Sequence, residues 1–404
     1  MIRYQRKSAR RRLKGVGCWL LVAVGLTPLW ASAAILPEER ADIMYHEYDG
    51  DGIKISGPSV LVRKNFLDKV SVNANYYVDN ITSASIDVRS YGSPYTEKRT
   101  EQSLGVDMLN EKSTMSFSYT NSSENDYEAD TYYFGISQDF FGDLTNISIG
   151  FALGDDEIRK TGEPSFSETL DRQSYRISMS QILTKKLIAA VNVETVTEEG
   201  YLQNPYRQSS FILAEDVQGT TLDALGRKDS FRAERYPETR TSDAISLKLK
   251  YHLRYRAAVH AEFRYYSDSW DIDGRNFEFG YTHPLEDYPV ILDFKYRFYR
   301  QSDASFYYDF IDLTDPESKV PTFHGRDKEL SEYSTITYGV GAKWEFLPGG
   351  WYFFENASVS LYYDYMKFTY DNFRDASKEG FVLGEEPLFE FDANVIRLFF
   401  TALY

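Results

Sequence analysis

In run after run between Val70 and the last residue, Tyr404, apolar side chains recur at every second position. Val70, Val72, Ala74, Tyr76 and Val78 alternate with Ser71, Asn73, Asn75 and Asp79. Ile245, Leu247, Leu249 and Tyr251 alternate with Ser246, Lys248, Lys250 and His252. Val259, Ala261, Phe263 and Tyr265 do the same against His260, Glu262 and Arg264, and Leu292, Phe294, Tyr296 and Phe298 against Asp293, Lys295 and Arg297. A strand sends successive side chains to opposite faces, so this period specifies strands with one apolar and one polar face and excludes a helical protein.

Two β architectures satisfy such a pattern. A sandwich hides its apolar faces in a core, and a transmembrane barrel turns them to lipid around a polar interior. The connections favour the barrel. Short turns are readable at Leu67-Asp68-Lys69, Leu109–Lys112, Phe141-Gly142-Asp143, Thr184-Lys185, Leu253–Tyr255, Pro284–Asp287 and Pro348-Gly349-Gly350. Long polar loops lie between them near 82–98, 156–169, 201–236, 302–329 and 371–388. Tight turns at one end and long loops at the other are the outer-membrane pattern. The carboxy-terminal run adds a second mark. Ile396, Leu398, Phe400, Ala402 and Tyr404 form one apolar face closed by a terminal aromatic, which resembles the signal by which bacterial outer-membrane barrels are assembled. Composition agrees: 16% of the residues are aromatic, yet 26% are charged, as expected of a barrel with a wet interior. Tyr, Phe and Trp near the strand ends are expected to form interfacial girdles.

Strand number follows from parity. Fourteen runs extend from Val70 to the terminus. The run at about 55–66 descends into the turn before Val70, and a further ascending run at about 41–48 turns at Asp49-Gly50-Asp51-Gly52, whose glycines suit a hairpin. The expectation is therefore an all-β, antiparallel transmembrane barrel of sixteen strands. The alternative is fourteen, with residues 34–66 as an internal plug.

Ahead of the barrel, Arg3, Arg6, Lys7, Arg10, Arg11, Arg12 and Lys14 precede an apolar run from Val16 to Trp30 and the small-residue site Ala31-Ser32-Ala33. This reads as a signal peptide, residues 1–33, cut after Ala33 and followed by one domain, 34–404. The expected location is the outer membrane of a Gram-negative bacterium. The single cysteine, Cys18, lies in the leader and rules out a disulfide scaffold. The formal charge of −16 argues against a nucleic-acid partner. The expected partners are outer-membrane lipid, the barrel-assembly machinery and a small polar solute.

Several segments also resemble a family of bacterial outer-membrane proteins known as domain of unknown function 3570. They include Tyr48–Gly52 (YDGDG), Gly57–Lys64 (GPSVLVRK), Ser71–Asp79 (SVNANYYVD) and Thr120–Thr145 with its NDYEADTYYFG and QDFFGDL. Others are Asn204–Gln208 (NPYRQ), Tyr236–Asp243 (YPETRTSD), Tyr255–His260 (YRAAVH), Gly280–Pro284 (GYTHP), Arg326–Ser331 (RDKELS) and Glu386–Phe399. The resemblance implies an outer-membrane β-barrel and brings no reaction, substrate or active site.

Function is sought on the inward face. Lys248, Lys250, His260, Arg264, Lys295 and Arg297 fall on the polar phase of three runs that are close in sequence, with Glu262, Glu278 and Asp293 interleaved. One reading is a charged constriction that selects an anionic or zwitterionic solute. The other is a solvated interior whose charges satisfy one another across strands. A second candidate is the acidic group Glu124, Asp126, Glu128 and Asp130, with Asp155, Asp156 and Glu157, whose oxygens suit hard cations but also suit an ordinary soluble loop. The five histidines show no metal-ligand spacing. His324, in a long loop with Asp327 near and Asp309, Asp312 and Asp315 upstream, is the one place where a rim hydrolase could sit. The expectation is a porin-like channel or binder, not an enzyme, with no cofactor and no metal. The alternatives are a docking scaffold or that hydrolase. The 201–236 loop is long enough to fold inwards and constrict the lumen.

Overall fold

The computed structural model describes residues 36–83, 95–214, 228–378 and 380–404. The leader expected at 1–33, with its cut after Ala33, lies outside the described residues, as does much of the loop at 82–98. The first strands are β1 (Arg40–Gly50), β2 (Ile53–Phe66), β3 (Val70–Ser83), β4 (Tyr95–Asn110), β5 (Ser113–Ser123), β6 (Tyr127–Phe140), β7 (Thr145–Arg159), β8 (Ser167–Thr184) and β9 (Leu187–Gly200). After a short pair, β10 (Gln208–Leu213) and β11 (Lys228–Ala233), the wall resumes with β12 (Thr239–His252), β13 (Ala258–Asp268), β14 (Asp273–Pro284) and β15 (Val290–Gln301). A three-residue strand, β16 (Ile311–Leu313), precedes β17 (Tyr333–Glu345), β18 (Asn356–Arg374) and β19 (Leu388–Leu403).

Among the described residues, sixteen of these strands close one antiparallel barrel, and β10, β11 and β16 form a separate small sheet. Closure is made by β1 and β19, in register from Arg40 opposite Leu403 to Gly50 opposite Ala393. Every wall strand thus has two partners, and no row of backbone N–H and C=O groups faces lipid. Residues 40–66 are wall strands and not a plug, so the sixteen-strand expectation holds and the fourteen-strand alternative fails. The tight turn at Asp51 and Gly52 connects β1 to β2 as expected.

Alternation sets the faces. Ile149, Ile177, Val193, Leu247, Phe263, Phe277, Phe294 and Val340 are exposed on the outside. Their polar neighbours point into the lumen, where Ser178, Ser246, Thr335, Thr337, Ser358 and Ser360 are buried. Two features were not expected. Two further connections at the long-loop end are themselves short: 124–126 and 269–272. Glu128, Asp130, Asp155, Asp156 and Glu157 belong to β6 and β7, not to loops, because those strands run on beyond the apolar band.

Candidate functional site: the lumen wall and its cap

The six basic residues singled out in the sequence share the inward face, on β12, β13 and β15. β14 lies between β13 and β15 and interleaves Glu278 and Asn276 with them. The charges are distributed as cross-strand pairs. Lys248 Nζ lies 2.9 Å from Glu262, His260 Nε2 3.2 Å from Glu278 and Arg264 3.2 Å from Glu194, which also holds Arg176. Lys295 lies 2.9 Å from Asp364, which binds Arg397 at 2.7 Å, and Arg297 Nε donates to Asn276 at 2.6 Å. Lys250 stands opposite His260 in the register. The rest of the wall repeats the pattern, with Arg63 against Asp107 at 2.5 Å and Arg172 between Asp156 and Glu198 at 3.2 and 2.9 Å. The lining is a mesh of alternating charges and not a basic patch. A solute crossing it meets both signs within a few ångströms.

Inward glycines let this mesh lie flat. A Cβ on Gly280 would stand 2.0 Å from His260 Cε1, and one on Gly339 would stand 2.3 Å from Asp364 Oδ1. Both positions let a neighbouring strand's side chain fold along the wall instead of projecting across the lumen. Gly57 serves a similar arrangement. It faces His46 in the register, and a Cβ there would lie 1.7 Å from the Val78 carbonyl oxygen. Above it the His46 imidazole reaches Asp79 at 2.7 Å and stacks on Tyr77 at 5.0 Å. Sequence reading had left His46 without a partner, because Asp79 lies on β3, two strands away.

At the long-loop end the inward face changes from polar to aromatic. Tyr266, Tyr333, Phe368, Tyr370, Phe389 and Phe391 keep the polar phase of the alternation and face inward. The interfacial girdle expected of aromatic residues near the strand ends is therefore not made by these six. They help seat a cap. Its core is Tyr236, Trp270, Phe306 and Leu330, continuous with Tyr370, Phe373 and Phe389. Trp270 meets Phe306 edge-on at 4.9 Å, and Arg240 lies 3.6 Å above the Trp270 ring while pairing with buried Asp268 at 2.6 Å.

The cap is built from the described residues of the 201–238 segment and from the 302–332 segment. β10 pairs antiparallel with β11 and parallel with β16, and Arg235 bridges to His324. Its fastenings reach both sides of the mouth. Tyr206 Oη donates to Asp126 and accepts from the Thr161 N–H at 2.7 Å. Arg207 pairs with Asp327 in the other segment, and the next residue, Lys328, pairs with Asp51 in the β1–β2 turn. That turn lies eight strands, half the ring, from the β9–β12 junction that launches the first segment. The loops are thus bonded across the outer mouth, as sequence length allowed for the 201–236 loop alone. A cleft of about 510 Å³ opens beside the cap between Tyr307, Asp309, Phe310, Arg374 and Leu383.

The remaining candidates fall into this frame. His324 is buried in the cap, its Nδ1 2.8 Å from Ser209 Oγ and its ring edge-on to Phe211. Burial, and then the Arg232 and Arg235 guanidiniums, hold its imidazole below the ordinary value. The carboxylates near it in sequence are engaged elsewhere: Asp327 with Arg207, and Asp309 with Arg326 and Arg374. Of the acidic group, Glu124 and Asp126 meet Glu97, a residue the sequence reading missed, with ligand oxygens within 4.8 Å of one another. Burial, reinforced by Glu97, pushes the Glu124 carboxyl up to about 7. At the other end of the barrel, Ile396, Leu398 and Phe400 face outward on β19, while Ala402 is covered. Tyr404 donates its hydroxyl to the Arg63 carbonyl at 3.0 Å.

Three solved barrels illustrate what the chain resembles. A bacterial polysaccharide outer membrane secretin aligns at a TM-score of 0.48 and 9% identity, over 92% of this chain and 99% of that one. The siderophore receptor PirA from Pseudomonas aeruginosa aligns at 0.43 and 9%, over 83% and 59%. A loop-deletion mutant of OmpT, an outer membrane protein of Vibrio cholerae, aligns at 0.40 and 10%, over 90% and 98%. No curated protein matches the chain in sequence. One family model does, over residues 85–176 and 159–367, more than half of the chain. By that match the chain, an outer-membrane-type barrel of sixteen strands, belongs to the family described as protein of unknown function, DUF3570.

Proposed function

We propose that this protein sits in the bacterial outer membrane, exported by its leader, and passes or binds a small polar or charged solute through its lumen. The observation that supports this best is the contrast between faces: apolar residues outside, and a cross-strand mesh of paired charges inside. Lys248, Lys250, His260, Arg264, Lys295 and Arg297 are the residues proposed to contact the solute. Selection would combine size with local charge, and no bond would be made or broken. Because cations and carboxylates alternate along this wall, a zwitterionic or mixed-charge solute fits it better than a simple anion. The fastened cap favours a mouth that is closed at rest and a solute held at the cap before passage.

The test is planar-bilayer conductance of the refolded protein, with ion preference read from the reversal potential in a salt gradient. Stable steps that grow when the cap is unfastened support the reading. A barrel that stays non-conducting with the cap removed would exclude it and direct the search to the loops.

A further inference from the structure

Large apolar side chains stand at the tips of five of the seven short turns, where soluble hairpins place glycine, asparagine or aspartate. Leu67 is 92% exposed, Phe141 82% and Tyr352 91%, and Tyr255, Tyr288, Trp351 and Phe353 are also exposed. Four of them hold left-handed backbone: Leu67 at φ 53°, Phe141 at 54°, Tyr255 at 58° and Tyr352 at 60°. That conformation is unfavourable for residues with a bulky side chain. In water these tips would combine backbone strain with exposed apolar area and recover nothing.

The tips continue the lipid-facing band. On β3, Tyr76, Ala74, Val72 and Val70 lead to the Leu67 turn with no polar residue on the outward face. On β13, Tyr265, Phe263, Ala261 and Val259 lead likewise to the Tyr255 turn. The nine steps from Tyr76 to Leu67 span about 23 Å at the usual rise and a tilt of roughly 40°. An outer-membrane apolar band is about 25 Å tall, so it needs the turn itself to complete its height. Between β17 and β18, Trp351 and Phe354 bridge to form a tight aromatic turn with Tyr352 and Phe353 at its tip. Outward-facing Trp344 packs on Phe346, and Phe346 on Phe400, at 5.6 and 6.1 Å. At this end Lys64 pairs with Glu39 and Lys112 with Asp143.

We infer that the short-turn end is sunk into the phospholipid interface of the inner leaflet, with Leu67, Phe141, Tyr255 and the Trp351–Phe354 turn as its anchors. Aromatic rings are favoured at such an interface, which supplies the apolar contact that the strained tips lack in water. The inference rests on the membrane-spanning reading above. It also removes these turns as a docking face for a periplasmic protein.

Residues 34–404 contain no cysteine, so spin labels can be placed singly. In a Cys18→Ser background, the full chain is refolded into phospholipid vesicles with labels at Tyr352→Cys or Leu67→Cys. Ile149→Cys on the outer wall and Glu317→Cys on the cap serve as lipid and water references. Collision with oxygen is compared with collision with a water-soluble nickel chelate. Labels at 352 and 67 are expected to shift to oxygen-dominated ratios like that at 149. Nickel-dominated ratios like that at 317, with 149 still in lipid, would overturn the inference and leave the barrel reading intact. Shielding of 352 and 67 from both reagents would also overturn it, in favour of a protein contact. A water-exposed 149 would instead overturn the membrane-spanning reading itself.

Discussion

Replacing Lys328 by methionine should loosen the cap without disturbing the barrel. The Lys328 side chain is 9% exposed and that of Asp51 only 1%, and the Lys328 ammonium also lies 5.5 Å above the Phe391 ring. Methionine keeps much of the side chain's length but leaves the Asp51 carboxylate buried without its ammonium partner. Removing one member of a buried pair typically costs about 3–5 kcal/mol. Loss of the cation–π contact adds up to about 1 kcal/mol. If cap opening is the motion that exposes its amides, each 1.4 kcal/mol is tenfold in the open population. Exchange should then accelerate by about a hundred- to twenty-thousand-fold. The reporters are cap amides: His324 N–H bonded to the Arg235 carbonyl at 2.8 Å, Ser305 N–H to Trp270 at 2.7 Å and Tyr308 N–H to Gly325 at 2.9 Å. Strand amides of β7 and β8 serve as the reference. Adding Asp51→Asn to Lys328→Met should restore most of the protection, because it removes the stranded charge. Unchanged cap exchange in the single variant would refute the fastening. Equal acceleration in β7 and β8 would show that the variant unfolds the whole molecule and that the cap is not a separate unit.

Other outcomes follow from the lumen and the loops. Arg264→Glu with Lys295→Glu sets like charges against Glu194 and Asp364, and should move the reversal potential toward cation preference; an unmoved potential would dismiss these residues as selective. Gly280→Val should force the His260 ring off the wall, so that single-channel conductance falls; unchanged conductance would place the pathway elsewhere. For Glu124 the folded value, about 7, lies above the ordinary 4.5. The folded state therefore keeps a proton that the unfolded chain has released. The stabilisation is fully present below about 4.5 and is lost as pH rises through about 7. Exchange at Asn125 should accelerate over that window, and Glu124→Gln should remove the dependence.

How much of this was legible in the chain follows from which forces are local. Period two is a property of the strand backbone, so the Tyr76-to-Val70 and Tyr265-to-Val259 stripes showed in the sequence which side meets lipid. Parity and the Asp49–Gly52 hairpin were enough to reach sixteen strands. The same phase places Lys248, Arg264 and Lys295 on the inward face. It even marks Tyr370 and Phe391 as inward, since they keep step with polar positions, although their aromatic character suggested a girdle. What the alternation does not carry is the identity of partners across the ring. Arg264 meets Glu194 across β12 and Lys295 meets Asp364 across β17, about 70 residues away in each case, which turns an apparent basic patch into a charge mesh. The cap is further from view. Its segments have no periodicity, and its anchoring pair joins Lys328 to Asp51 across 277 positions of sequence. The faces were determined by backbone geometry that every strand carries within itself. The mesh and the cap were decided only when closure of the barrel brought distant side chains within reach of one another.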